Sequence, residues 1–171
     1  MALNGIFLDR RENFAKDWRN ILVEILNDGI LNNSCKVTFT SNSITVGDGY
    51  FILKGAIVNN KGAETIPITP TLTNGYVRLK CRIDLTKEAS ETGPGQVSWE
   101  TEFSATTTFP ALTQEDINGT GAVYEGEIAV LQIVNGNITA LTRSMGPAEI
   151  DAELLGGKLP GEYLQTSGIQ K

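Results

Sequence analysis

The 171-residue chain contains no histidine. Histidine is the usual general base and a common metal ligand, because its ordinary pKa lies near neutrality. Its absence removes Ser/His and Cys/His nucleophile pairs, and with them most hydrolase templates. Cysteine is scarce too. Cys35 and Cys81 are the two present, and neither stands in a CxxC or Cys/His spacing, so no zinc-site pattern is formed. Both read as buried free thiols behaving as small hydrophobes. A disulfide would need their Cα atoms within about 7 Å.

Positive charge is thin as well: 14 Lys and Arg stand against 20 Asp and Glu, for a net charge of −6. The basic residues are scattered, whereas phosphate backbones need them concentrated, so nucleic acid is not an expected partner. Long apolar runs are missing. No segment approaches the ~18 residues that span a bilayer, and Met1 to Arg11 lack a secretory apolar core. The expectation is a protein made and kept in a cytosol-like compartment, with no membrane partner. The sequons at Asn32, Asn118 and Asn137 then read as chance matches. No GxxxxGK[ST] phosphate loop occurs. No cofactor, no metal and no enzymatic activity are expected.

What is present is ordinary globular composition, 40% hydrophobic and 20% charged, enough for one core. Between Arg11 and Asn27, Phe14, Trp18, Ile21, Leu22 and Ile25 recur at helical spacing, with Gly29 as a C-terminal stop. After Leu31 the pattern changes to short β-type runs separated by Gly, Asn, Asp and Pro. Strands are expected at 36–40, 43–46, 50–58, 63–68, 75–85, 97–106, 122–133 and 137–143. Gly47-Asp48-Gly49, Asn59-Asn60-Lys61-Gly62 and Asn135-Gly136 supply the turns. The fold class is mainly β: an antiparallel β-sandwich or barrel with one N-terminal amphipathic helix and an extended C-terminal tail. Its parts are residues 1–30 with the helix, a β-domain at 31–145, and an extension at 146–171. Leu154, Leu155, Leu159, Tyr163 and Leu164 are that extension's candidate docking residues, on a neighbour or on the same domain.

Few groups suggest chemistry. Tyr76, Arg78, Lys80 and Arg82 alternate with Val77, Leu79, Cys81 and Ile83, and the charged row reads as a solvated sheet face paired with acidic neighbours. Glu100 and Glu102 flank Trp99 two residues apart on a strand; glycoside cleavage needs a cleft with one raised carboxyl pKa, and nothing signals one. Glu115, Asp116 and Asn118 lack the spaced ligands of a calcium loop, and Thr113 with Asp116 matches a capping box. Sugars stack on aromatic rings, so Trp99 and Tyr124 form the candidate carbohydrate platform, with Tyr50 and Tyr76 also in strands.

The stretch SITVGDGYFILKGAIV at 43–58, followed by NGYVRLKCRIDLTKEA at 74–89, resembles the opening of lactococcal-type siphophage receptor-binding proteins. Ser43, Ile44, Gly47, Gly49, Tyr50, Phe51, Ile83, Asp84, Leu85 and Thr86 carry the likeness, and Asp17-Trp18 ahead of Ile21-Leu22 is similar to the helix that precedes that domain. The resemblance implies the N-terminal shoulder domain, a β-sandwich with a helix that attaches to the baseplate and packs in trimers. The family's saccharide site lies in a separate head, for which nothing after residue 146 provides. The Gly156-Gly157-Lys158 to Tyr163 stretch is similar to joints in phage tail fibres. The resemblance therefore implies a virion tail-tip or baseplate adaptor, made in the host cytoplasm, with other tail proteins as partners. A compact module binding a host cell-wall saccharide is the alternative.

Overall fold

A computed structural model of the chain describes residues 15–88 and 95–149. In chain order the elements are α1 (Ala15–Val23), β1 (Gly29–Ile30), β2 (Val37–Thr40), β3 (Ser43–Val46), β4 (Gly49–Leu53), β5 (Ala56–Asn60), β6 (Glu64–Pro67), β7 (Gly75–Asp84), β8 (Val97–Ser104), β9 (Val123–Val134) and β10 (Asn137–Ser144). They form a four-stranded sheet in the order β10-β9-β7-β8 and two three-stranded sheets, β1-β4-β5 and β2-β3-β6. The arrangement is a mainly β, sandwich-like fold with one N-terminal helix, and it is not a closed barrel.

One core joins all three sheets. Val77, Leu79, Cys81 and Ile83 point inward from β7 as their alternation predicts, and meet Ile44, Val46, Phe51, Leu53, Leu131 and Ile133. Cys35 and Cys81 are both free and buried. Burial pushes the Cys81 thiol up to about 12, as expected of a thiol kept away from water, with the charges of Glu100 and Glu64 adding to it. Strand β9 keeps its apolar side inward along twelve residues only by a bulge. Lys80 faces Glu127 while Leu79 faces Ala129, leaving Ile128 as the extra residue. The bulge switches the side-chain phase there, so Tyr124 and Gly126 on one side and Leu131 and Ile133 on the other all reach the core face.

Most strand ends fall within two residues of the sequence expectation, and two boundaries differ in kind. The run 50–58 is two strands, because Lys54 and Gly55 both take positive φ, 47° and 77°, and close a tight hairpin. Helix α1 packs on that turn: a Cβ on Gly55 would lie 2.2 Å from the Arg19 carbonyl oxygen. The helix proper ends at Val23, and Gly29 is not its stop but the first residue of β1. The reason is close approach. Residues 146–149 return alongside β1, with Ile30 N–H donating to the Gly146 carbonyl and Ala148 N–H donating to the Ile30 carbonyl, both at 2.8 Å. A Cβ at position 29 would lie 2.4 Å from the Ala148 nitrogen. The start of the C-terminal extension thus docks on its own domain; Leu154, Leu155, Leu159, Tyr163 and Leu164 lie outside the described residues.

The helix is amphipathic, yet none of its residues is buried; Trp18 is 46% exposed, and Ile25, just past its end, is 43% exposed. It lies beside β5 and is tied to the loop before β9. Arg19 Nε donates to Asn118 Oδ1 at 3.2 Å, and Asn118 Nδ2 donates to the Lys54 carbonyl at 3.2 Å.

Candidate functional site

The densest concentration of ionisable groups lies on the outer face of the four-stranded sheet. It follows from sequence alternation: with the apolar half of β7 turned inward, Arg78, Lys80 and Arg82 must turn outward. The register then sets Glu102 opposite Arg78 and Glu100 opposite Lys80 on β8, and on β9 Glu127 opposite Lys80 and Glu125 opposite Arg82. Across the sheet the charges alternate strand by strand: Arg143 on β10, Glu125 and Glu127 on β9, three cations on β7, Glu100 and Glu102 on β8.

Every member of this array is paired. Arg78 bonds the Glu102 carboxylate. Lys80 Nζ reaches Glu125 at 2.8 Å and Glu100 at 3.2 Å, and Arg82 reaches Glu125 at 3.0 Å. Arg143 forks onto both oxygens of Glu127. The acidic partners expected from the sequence are therefore there, but the expected solvation is not. Arg78 and Glu125 are only 5% and 3% exposed. The segment from Ser104 to Glu115 crosses the face as a strap: the Phe109 ring lies under the Arg78 guanidinium at 4.9 Å, and the Pro110 carbonyl accepts from Arg78 at 2.9 Å. The strap then pairs with the free N-terminal edge of β9, Glu125 N–H donating to the Thr113 carbonyl at 2.7 Å. Thr113 N–H in turn donates to the Glu125 carboxylate at 2.9 Å.

Glu125 is thus the node that joins sheet and strap. Burial alone would raise its pKa; the hydrogen bonds from Lys80 and the Thr113 amide, with the charge of Lys80 and the hydrogen bond from Arg82, outweigh that and hold it below the usual carboxylate range. Burial likewise works against the charged form of Lys80, but Glu125 and Glu100 leave its pKa raised. These groups hold one another in the charged state at neutral pH. Glu100 and Glu102 are occupied as ion-pair partners.

The aromatic candidates are not brought together as a platform. Tyr124 is buried, and its hydroxyl donates to Asp28 Oδ2 at 2.7 Å. Burial first, then the Asp28 carboxylate, pushes that phenol's pKa well up. Trp99 is half-buried on the core side, its ring 5.8 Å from Phe51 and its indole N–H donating to Glu64 at 2.7 Å. Tyr50 is 49% exposed on the outer side of β4, away from both.

The capping box expected at Thr113 is not formed, because the Thr113 backbone is engaged by Glu125. Glu115 instead accepts from the amides of Ala122 and Val123 at 2.7 and 3.0 Å, which lowers its pKa, and Asp116 accepts from Asn118 N–H at 3.2 Å. Among the described residues, no group of three or more His, Cys, Asp or Glu side chains is placed to hold a metal ion. No described helix is long and apolar enough to cross a membrane.

Sequence reasoning missed Glu125, Asp28 and the strap. Glu125 and Glu127 alternate in the sequence as clearly as the β7 cations do, and that was the available signal. Asp28 carried none, since its partners Tyr124 and Lys54 are distant along the chain. No protein-family model matches the chain, and a search of curated proteins finds no match.

Proposed function

We propose that the chain is a structural component of a bacteriophage tail tip or baseplate, a shoulder-like adaptor in the host-adsorption apparatus. The reading is supported by where the residues that carry the resemblance fall. Ser43 and Ile44 open β3, Gly47 and Gly49 bracket the passage from one three-stranded sheet to the other, and Tyr50 and Phe51 straddle the two sides of β4. Asp84 ends β7, where its Oδ1 accepts from Thr86 Oγ1 at 2.6 Å and from Thr86 N–H at 3.1 Å. These are turn-forming and strand-ending roles, so the shared pattern is one of architecture. The observation that carries the proposal is this coincidence of pattern and architecture in a sandwich preceded by a single helix.

An adaptor works by surface complementarity and needs no reactive group. The outer-face array supports that reading, since its acids and bases neutralise one another. Homotrimers and contacts with other tail proteins belong to the proposal through the resemblance.

Co-expression with each protein encoded beside it tests the reading. A stable stoichiometric complex with one of them is expected, together with no affinity for host cell-wall polysaccharide. A purified chain that decorates host cells or binds their polysaccharide sinks the adaptor reading and favours a compact receptor-binding module. Light scattering of the purified chain checks the trimer.

A further inference from the structure

Among the described residues, the open edge of β8 is where the charge alternation of the outer face ends on acids. Its eight residues pair with β7 in unbroken register from Val97 to Ser104. Among the described residues no strand pairs with its other side. The remaining edges carry features that discourage pairing. Strand β10 is broken by two register shifts, β6 is four residues long and ends in Pro67, β2 is also four residues long, α1 lies beside β5, and residues 146–148 cover β1.

The direction of the free groups follows from one hydrogen bond. Asp84 N–H donates to the Gln96 carbonyl at 2.7 Å, which makes Asp84 and Gln96 a hydrogen-bonded pair. Hydrogen-bonded and non-bonded pairs alternate along an antiparallel ladder, so Ser98, Glu100, Glu102 and Ser104 face β7 with their backbone groups. Val97, Trp99, Thr101 and Phe103 turn theirs outward, to the open side.

The side chains indicate what fits there. Reading β10, β9, β7 and β8 in spatial order gives base, acid, base, acid. Glu127 has cations on both flanks, and Glu125 has two on β7 and the strap on its other side. Glu100 and Glu102 have them only on the β7 side, and their side chains remain 38% and 27% exposed. A strand added at this edge brings its outer-face side chains directly opposite these two carboxylates, where opposite charge stabilises and like charge repels. In the two longest in-phase antiparallel registers, a second copy of β8 would set Glu100 against Glu100 or against Glu102. The sole run in this chain that alternates basic residues is Arg78-Leu79-Lys80-Cys81-Arg82, which is already the central strand.

We infer that the β8 edge accepts, by strand addition, an extended segment of a different polypeptide that carries Lys or Arg at alternating positions. Backbone hydrogen bonds from Val97, Trp99, Thr101 and Phe103 hold it, and Glu100 and Glu102 select its charge and register. The inference stands on the sheet edge and does not depend on the tail reading.

The probe is a ten-residue peptide alternating lysine with threonine or valine. Its controls are a glutamate version and a lysine peptide of the same composition with the alternation scrambled. Titration against the full chain carrying Trp18→Phe reports through Trp99, beside the binding edge, and calorimetry gives the affinity. The alternating lysine peptide is expected to bind about tenfold more tightly than either control, as two favourable cross-strand charge pairs imply. Thr101→Pro removes an outward N–H that β7 does not use, so the chain should fold, verified by near-ultraviolet circular dichroism, and should lose the peptide. Glu100→Gln with Glu102→Gln should keep strand addition but lose the preference for lysine. Equal binding of all three peptides, binding that survives Thr101→Pro, or no binding of the lysine peptide overturns the inference. Self-association of the chain that Thr101→Pro abolishes overturns it too, because the occupant is then a second copy.

Discussion

The hydroxyl of Tyr124 donates to Asp28 at 2.7 Å, and the other oxygen of that carboxylate accepts from the Lys54 amide at 2.6 Å. One side chain in the short link after α1 therefore ties β9 to the β4–β5 turn. Tyr124→Phe leaves Asp28 Oδ2 without this donor in a half-buried place, and about 1–3 kcal/mol of stability should be lost. Urea denaturation of the variant measures it. In the unaltered protein, ultraviolet titration should show a tyrosine that ionises well above the ordinary range and only with unfolding.

Glu125 is nearly inaccessible and serves two cations and the strap together. Breaking a buried pair by removing one partner leaves the other charge uncompensated, so Glu125→Gln should destabilise the fold by about 3 kcal/mol. Protease cleavage between Ala105 and Leu112 should appear at the same time, as the strap loses its anchor.

The pKa of Glu125 also sets an acid limb. It is depressed in the folded state, so unfolding takes up a proton at low pH. The associated stability is present above the unfolded carboxylate range and is lost as pH falls through the lower, folded pKa. Asp84 and Glu115 are shifted in the same direction, chiefly by Thr86 and by the amides of Ala122 and Val123 respectively. Thermal melts from neutrality to strong acid should show falling stability, with a shallower slope in Glu125→Gln.

Gly29→Ala places a methyl group against the backbone of Pro147 and Ala148, at 2.5 and 2.4 Å from their nearest atoms. Backbone in a strand pairing cannot move aside as a side-chain tip can. The expected result is detachment of residues 146–149 from β1, a loss of about 1–3 kcal/mol, and faster proteolysis after Ser144. Gly136→Ala is the control: it has no atom within 4 Å to meet, and should leave the C-terminal pairing intact despite its positive φ.

Cys81 gives an alkaline counterpart. Its folded pKa of about 12 lies above that of an unfolded thiol, so the unfolded chain ionises first. Its contribution is present below the unfolded thiol pKa and declines as pH rises from there through the folded value. The native thiol should resist disulfide-exchange reagents at pH 8, and Cys81→Ala should flatten part of the alkaline slope seen in denaturation.

The sequence by itself determined the class of fold and most of the strands. Period-two alternation in β7, the Asn135-Gly136 turn and the Gly and Pro punctuation are local signals, set by side-chain direction and by which residues tolerate positive φ. It also determined that the β7 cations would meet acids, because the same alternation recurs in β8 and β9. Tertiary structure decided what no local pattern carries. Gly29 looked like a helix stop, and only the return of residues 146–149 made it a site of backbone contact. The 50–58 run looked continuous until the close approach of α1 and the Lys54-Gly55 conformation divided it. Arg78 looked solvated until the strap crossed it, and Tyr124 looked available until Asp28 met it from ninety-six residues away. In each case the deciding partner is remote in the chain, and pattern reports on a residue's own neighbours, while burial and pairing depend on what the folded chain brings against it.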